Sequence, residues 1–521
     1  VSLQIKGDWT VEKERYTIGM FSYHMRVGGV ERVISILTPV LIKMGHKVVV
    51  ITNEAPTEKD YKLPPEVKRY TISGCMGDGE RRRADWQSVC EKEHIDVMLY
   101  HVSQTPYLLQ ETRTIKQYVK YFVLYKHQLF SEELTYFDCW YGMYEDVFPL
   151  CDRIVVLSRL EMKYWNMQGY RTVYMPNPSD YNCKIEKQNW NYIVWTGRLD
   201  YLQKNYLDPI AVMKVVHRRF PQIQLKMFGS GTGLCEKYLL EEIKKAGLED
   251  AIIYCGNERD INRLYGEARI QLVTSSYEAF PMALMEGKMF SLPLVTYDMP
   301  YLEALREQKG YIAVKQRDTE AAAKAIIRIL ETPKLEMSMR SEAETSAASF
   351  SNDVVVEKWD ELLQNLSGDF VCDPDDAVTA EDARQIFRTI YGHSEAAADR
   401  YRRLKDKYWS ERMDKIISQI KYMQKKEGRK LVLYPYGKIG KQVQEFLHEH
   451  GVYEELVADN HAENAVPMSY FEGKNTDGYI LLFCSKSGKY YEKLREDAYK
   501  YFKKDNVIEL FSEEDIIKNI L

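Results

Sequence analysis

Two glutamates, Glu278 and Glu286, stand eight positions apart in Ser276-Tyr-Glu-Ala-Phe-Pro-Met-Ala-Leu-Met-Glu-Gly287. They follow a strand-like run, Arg269-Ile-Gln-Leu-Val-Thr274, so the first carboxylate is expected where a strand ends and a helix begins. At about 100° per residue, a helix brings residues eight apart to about 80° past two full turns, which would set both acids on the border of one cleft. The free backbone N–H groups of Ala279, Phe280 and Met282 would point out of the helix's positive end and could receive an anion such as a diphosphate. Pro281 has no N–H to offer but suits a first helical turn. The plainer alternative is that Glu278 caps the helix dipole and Glu286 is solvated.

Other landmarks flank this pair in a definite order. Thr17-Ile-Gly-Met-Phe-Ser22 reads as a first strand, followed by a loop ending in Gly28-Gly29-Val30-Glu31-Arg32 and an amphipathic helix. Cys151-Asp-Arg-Ile154 precedes Val156-Leu-Ser158; Val194-Trp-Thr-Gly197-Arg198 comes next, with Lys204 six residues after the arginine, and Phe228-Gly229-Ser-Gly231-Thr-Gly233 forms a glycine-rich turn. Over about residues 15 to 366 this arrangement resembles the retaining glycosyltransferases of family 4, which have the GT-B fold and a paired-glutamate signature.

The resemblance implies a donor nucleotide sugar, with a UDP-sugar favoured, and roles for individual residues. Arg198 and Lys204 match the family's diphosphate-binding cations, a planar fork and a point charge, each worth about 1.5–3 kcal/mol as charged hydrogen bonds. Glu286 matches the acceptor of ribose hydroxyl hydrogen bonds, suited to that task because a carboxylate accepts through both oxygens. Glu278 matches the acid beside the transferred sugar, and His127 the histidine that faces it. The catalytic set is then Glu278, His127, Arg198 and Lys204. Gly28, Gly29, Gly229, Ala279, Phe280, Met282 and Glu286 complete the donor site, with no metal. Gly28 and Gly29 would admit a close approach of backbone to ligand. Plainer readings stand beside these: surface-loop cations, an ordinary glycine turn and a satisfied loop histidine. Three positions depart from the family's glycines, namely Asn205 after the lysine, Pro281 and Ser291.

With 521 residues the chain is expected to hold two or three domains, and 45% hydrophobic content is enough for large cores. Lys+Arg 72 against Asp+Glu 77 gives a formal charge of −5, which disfavours a global nucleic-acid binder. Nine scattered cysteines without a Cys-x-x-Cys pair fit reduced thiols better than disulfides or zinc. No apolar run of about 18 residues suggests a membrane span, and no signal peptide is read. The expected location is cytoplasmic, with attachment to the inner face of the membrane and homo-oligomerisation both compatible with it.

Strand-like runs at Lys47–Thr52, Asp96–Tyr100 and Lys120–Tyr125 alternate with helical patterns, and the alternation repeats after Met175-Pro-Asn-Pro178. The fold class expected is α/β: a GT-B architecture of two Rossmann-like domains facing a cleft, plus a C-terminal helical spacer and a small α/β domain. The boundaries expected are 1–177 for the acceptor side, 178–349 for the donor side, 350–366 for a closing helix returning to the first domain, 367–429 for the spacer and 430–521 for a small Rossmann-like accessory domain. In that last segment Tyr436-Gly-Lys-Ile-Gly440 lacks a clean third glycine for dinucleotide binding, so a structural or docking role is favoured over nucleotide or sugar-phosphate binding.

Secondary features read as structural. Phe137, Trp140, Tyr141, Tyr144, Phe148 and Cys151 recur at helical spacing as a core-facing stripe, with a membrane or acceptor platform as the alternative. Arg81-Arg82-Arg83 reads as a solvated loop, with an anionic lipid or acceptor phosphate as its alternative. His448 and His450 lack metal-ligand partners, and Asp373-Pro-Asp375 falls in the spacer. The function expected is retaining transfer of a sugar to a glycan, surface polymer or glycoprotein. A catalytically silent GT-B partner subunit and a sugar-nucleotide epimerase are the rivals.

Overall fold

The computed structural model describes residues 14–26, 28–72, 79–102, 105, 107–131, 141–178, 192–201, 203–306, 309–370, 377–402, 410–462, 464–485 and 490–511. Phe137, Trp140 and Asp373-Pro-Asp375 lie outside them, as does the side chain of Tyr141.

The first sheet contains β1 (Thr17–Ser22), β2 (Lys47–Thr52), β3 (Lys68–Thr71), β4 (Val97–Tyr100), β5 (Tyr121–Tyr125), β6 (Arg153–Val156) and β7 (Thr172–Tyr174), ordered β3-β2-β1-β4-β5-β6-β7. The order is that of a doubly wound Rossmann sheet, which reverses direction between β1 and β4. All pairings are parallel, and Phe21 lies opposite both Ile51 and Tyr100. Strands covered on both faces need continuous apolar runs, and Val48 through Ile51 and Val97 through Tyr100 are all buried.

The second sheet contains β8 (Tyr192–Thr196), β9 (Gln224–Phe228), β10 (Ile252–Gly256), β11 (Ala268–Val273), β12 (Leu294–Tyr297) and β13 (Tyr311–Val314), ordered β10-β9-β8-β11-β12-β13. A four-stranded parallel sheet closes the chain: β14 (Lys430–Tyr434), β15 (Leu456–Val457), β16 (Tyr479–Phe483) and β17 (Val507–Glu509), ordered β15-β14-β16-β17. Helices Ala380–Arg402 and Ser410–Glu427 precede it. The described chain forms two compact units. One holds residues up to Thr196, Val215–Met227 and Glu258–Ser394; the other holds Gly197–Lys214, Phe228–Asn257 and Glu395 onward.

Beyond β6, in which Arg153 lies opposite Val123, Ser158 caps the helix Arg159–Met167 by accepting from the Glu161 amide. One local reading changes. Arg81-Arg82-Arg83 lies in the helix Gly79–Glu93 rather than a loop. Successive helical residues point about 100° apart, so one of three must face inward. Arg82 does, donating through Nε (2.6 Å) and Nη2 (2.9 Å) to Glu111, which also accepts from Trp86 Nε1 at 2.9 Å. The described part of the aromatic stripe is core: Tyr144, Phe148 and Cys151 are buried.

Helix Asn352–Gln364, capped by Ser351, sets Trp359 with its ring 5.7 Å from that of Tyr125 on β5. Lys126, one residue beyond β5, is fully buried, paired with Glu161 at 2.7 Å and 4.7 Å from the Trp165 ring. These contacts immobilise the end of β5, where His127 follows.

Candidate functional site

The C-terminal ends of β1, β4 and β5, neighbours across the switch in strand order, carry Ser22, His101 and His127. Beyond β1 the chain turns through Gly28 into the helix Gly29–Lys43. A Cβ on Gly28 would collide with the Glu31 carboxylate, whereas one on Gly29 would meet open space. Glu31 folds back in the first helical turn, 3.2 Å from His24 Nδ1. Burial raises its carboxyl above the usual range, partly offset by the helix backbone, His24 and Ser22.

His101 and His127 form a stacked pair: His101 Nδ1 lies 2.9 Å from His127 Nε2, and the ring centroids are 5.2 Å apart. Tyr125 packs against both, and its hydroxyl donates to Asn177 Oδ1 at 2.8 Å. Burial pushes His127 down to about 3 and His101 well below its usual range, so both rings are neutral near pH 7. One donates to the other. His101 was not singled out from sequence; its place at the end of a strand beside the switch in strand order was the available signal.

The helix that carries Glu286 spans Met282–Met289, with Pro281 as its extended N-cap. Glu278, Ala279 and Phe280 therefore precede the helix, and the helical argument that put both acids on one face does not apply to Glu278. The cause is local: Pro281 takes ψ 99°, outside the helical range, so regular turns begin only after it. Of the three amides expected at the positive end, only that of Met282 belongs to the helix. Glu278 is buried, and its amide donates to the Tyr301 hydroxyl at 3.2 Å. Phe280 packs edge-on against Phe350.

Glu286 is 7% exposed. The Tyr265 hydroxyl donates to its Oε2 at 3.0 Å, and Arg32 Nε stands 3.0 Å from its Oε1. Tyr265 is itself anchored, its hydroxyl 3.1 Å from Thr196 Oγ1 at the end of β8. A Cβ on Gly287 would press on the buried Gln271 amide of β11, whose Nε2 donates to the Ala283 carbonyl at 2.7 Å. Lys288 is buried and donates to Ser346 Oγ at 2.6 Å and to the Ala304 carbonyl; burial lowers its amine to about 7. Glu286 is thus held on a helix pinned from two sides.

Arg198, Lys204 and Gly229 belong to the second compact unit. Arg198 is exposed and donates to Gln203 Oε1 at 2.7 Å; Lys204 is half-buried. Gly229 has φ +141°, and a Cβ there would collide with the Gly197 carbonyl, so the two glycine turns touch backbone to backbone. Asn205 (φ 46°) and Ser291 (φ 55°) are left-handed, at two positions where a glycine was expected from the family pattern.

In the last sheet the strand ends are occupied by their own structure. Asp459 Oδ1 accepts from the His461 amide at 2.8 Å, and Asp497 accepts from Asn460 Nδ2 (2.9 Å) and Tyr434 Oη (3.1 Å). A cavity of about 780 Å³ beside β15 is lined by Tyr436, Lys441, Gln444 and Glu454, among others. His448 is paired with Glu454 at 2.7 Å. Among the described residues no group of three His, Cys, Asp or Glu gathers as metal ligands, and no helix is long and apolar enough to cross a membrane.

Comparison with known proteins agrees with this layout. Residues 27–180 match the model of Glycosyltransferase Family 4, and residues 183–346 match that of Glycosyl transferases group 1. An uncharacterized glycosyltransferase of Haemophilus influenzae is 26% identical over 223 residues, 41% of this chain and 61% of its own length. The amylovoran biosynthesis glycosyltransferase AmsD of Erwinia amylovora is 24% identical over 227 residues, 42% of this chain and 63% of its own. The chain thus spans somewhat under two thirds of these relatives. The crystal structure of Anabaena HepE in complex with UDP and glucose superposes with TM-score 0.55 at 16% identity, covering 67% of this chain and 99% of that one. Two Rossmann-like parallel sheets of the GT-B fold thus carry, in order, a segment like glycosyltransferase family 4 and one like glycosyl transferases group 1.

Proposed function

We propose that this protein is a retaining glycosyltransferase that moves a hexosyl group from a nucleotide sugar, a UDP-sugar in the first instance, to a glycan, surface polymer or glycoprotein acceptor. The observation that carries the reading is the Glu286 carboxylate, buried in the helix Met282–Met289, hydrogen-bonded by the Tyr265 hydroxyl and ion-paired with Arg32. An ionised carboxylate so held accepts from the hydroxyls of a ribose. HepE, similar in fold, was crystallised with UDP and glucose, and AmsD is named for amylovoran biosynthesis.

In this reading Arg198 and Lys204 stabilise the charge that develops on the departing diphosphate, and the Met282 amide adds a helix N-terminal donor. Glu278 and His127 border the transferred sugar. Gly28, Gly29 and Gly229, with Ala279 and Phe280, leave room for the donor. The bond from the anomeric carbon to the diphosphate oxygen breaks while the acceptor oxygen approaches the same face, and the acceptor's proton passes to the leaving phosphate. His127 acts as a neutral hydrogen-bonding group, since burial keeps it from charging near pH 7. The reaction is assigned to the cytoplasm or the inner face of the membrane, and a homo-oligomer is compatible with it.

The test is nucleotide release from a panel of UDP-, GDP- and ADP-sugars, by wild type, Glu286→Ala and Arg198→Ala. Release from one donor, lost in both variants, supports the reading. Absence of donor binding by wild type sinks it in favour of a catalytically silent partner subunit.

A further inference from the structure

We propose that Arg32 is the positioning residue of the donor carboxylate, holding Glu286 ionised and oriented so that it discriminates nucleotides by their ribose hydroxyls. The inference rests on the reading of Glu286 as the ribose-binding acid. It adds a residue from the other Rossmann-like domain, one helical turn past Gly28-Gly29.

Arg32 lies on the helix Gly29–Lys43, whose N-terminus follows β1, whereas Glu286 lies on Met282–Met289, which follows β11. Their side chains are 16% and 9% exposed, and Nε to Oε1 is 3.0 Å. A carboxylate at this depth without a cation would tend to take up a proton. Protonation would change its chemistry as well as its charge: an ionised carboxylate only accepts, whereas a protonated one turns one oxygen into a donor. Two neighbouring ribose hydroxyls that both donate need the ionised form. Tyr265 fixes Oε2 but is neutral, its hydroxyl pushed far above its ordinary range by burial and by Glu286, so it orients without supplying charge. The charge comes from Arg32.

Placement of that cation has a second consequence. The turn that bears Arg32 also bears Glu31, which folds back over Gly28. The Arg32–Glu286 pair therefore ties the glycine loop of the first domain to the acid of the second. Arg32 acts through Glu286 and is not itself assigned to the reacting atoms.

The experiment measures the affinity of the full-length protein for UDP and for 2′-deoxy-UDP by calorimetry, in wild type, Arg32→Gln, Arg32→Lys and Glu286→Gln. Wild type is expected to prefer UDP by about 10-fold, the worth of one charge-assisted hydrogen bond. Arg32→Gln should weaken UDP by a similar factor and erase the preference, matching Glu286→Gln, while Arg32→Lys restores part of it. A purely structural role for Arg32 would lower both affinities and leave their ratio intact. Should Arg32→Gln fail to fold, Arg32→Met decides, because it keeps the apolar stem and removes the charge: an unchanged ratio there overturns the proposal. If the ratio survives Arg32→Gln but is lost in Glu286→Gln, Arg32 is not the positioning residue and the ribose role of Glu286 stands. If wild type binds UDP without preferring it to the deoxy form, the ribose role and the proposal fall together while the donor reading stands. If wild type binds neither nucleotide, UDP as donor falls with them.

Discussion

The first and last sheets of this chain are built on the same plan and use it differently. Each is parallel, with its first strand set between the second strand and a later one, so each has a reversal in strand order where ligands commonly bind. At the first sheet's strand ends stand two neutral histidines bonded to each other, a carboxylate raised by burial, and the helix that delivers Arg32 to Glu286. At the last sheet's strand ends the acids are used locally: Asp459 closes its own turn and Asp497 holds Tyr434 and Asn460. A Rossmann-like strand-turn-helix is therefore no evidence of a site until the hydrogen bonds of its polar groups are accounted for.

The sharpest break of that comparison is catalytic. Glu286→Ala and Arg198→Ala should each lower nucleotide release by about 10- to 100-fold, the scale of a lost charged hydrogen bond. Asp497→Ala should leave release unchanged. Equal losses in all three would mean that the last sheet takes part in the reaction.

Acid sensitivity should be concentrated in the first sheet. His101 and His127 have folded values depressed below their ordinary value near 6.5, His127 to about 3. Below pH 6.5 the unfolded chain takes up protons that the folded chain refuses, so the stability they contribute is present above that pH and falls toward pH 3. The slope approaches about 1.4 kcal/mol per pH unit for each. Urea midpoints at pH 7 and pH 4.5 should converge in His127→Asn relative to wild type, and parallel loss in both would count against it.

Asp497→Ala removes the acceptor for the largely buried Tyr434 hydroxyl and for Asn460. It should cost about 1–3 kcal/mol, seen as faster amide exchange in β14 and β15 with β1 and β4 unaffected. The smallest effect expected is a gain. Ser291 sits left-handed just beyond the helix Met282–Met289, where a side chain is strained, so Ser291→Gly should raise the stability by about 1 kcal/mol in thermal unfolding. A loss would show that the serine side chain offsets the backbone strain.

Much of the chain was legible from residue pattern. The apolar runs of β1, β2, β4 and β5 announced buried parallel strands because a strand covered on both faces must be apolar throughout. The arginine run was misread because composition reports charge but not which of three consecutive helical residues turns inward. Glu278 was placed on a helix that begins only after Pro281.

By itself the sequence determined the local chemistry: which runs could be strands, where glycines permit tight turns, and that a helix carrying Glu286 would follow β11. Local periodicity and backbone sterics suffice for that. Only the tertiary structure decided that Arg32 meets Glu286, that His101 meets His127, that Tyr265 holds the carboxylate's other oxygen, and that Asp459 and Asp497 serve their own domain. Those partners are brought together by sheet order and helix packing, which no spacing along the chain encodes.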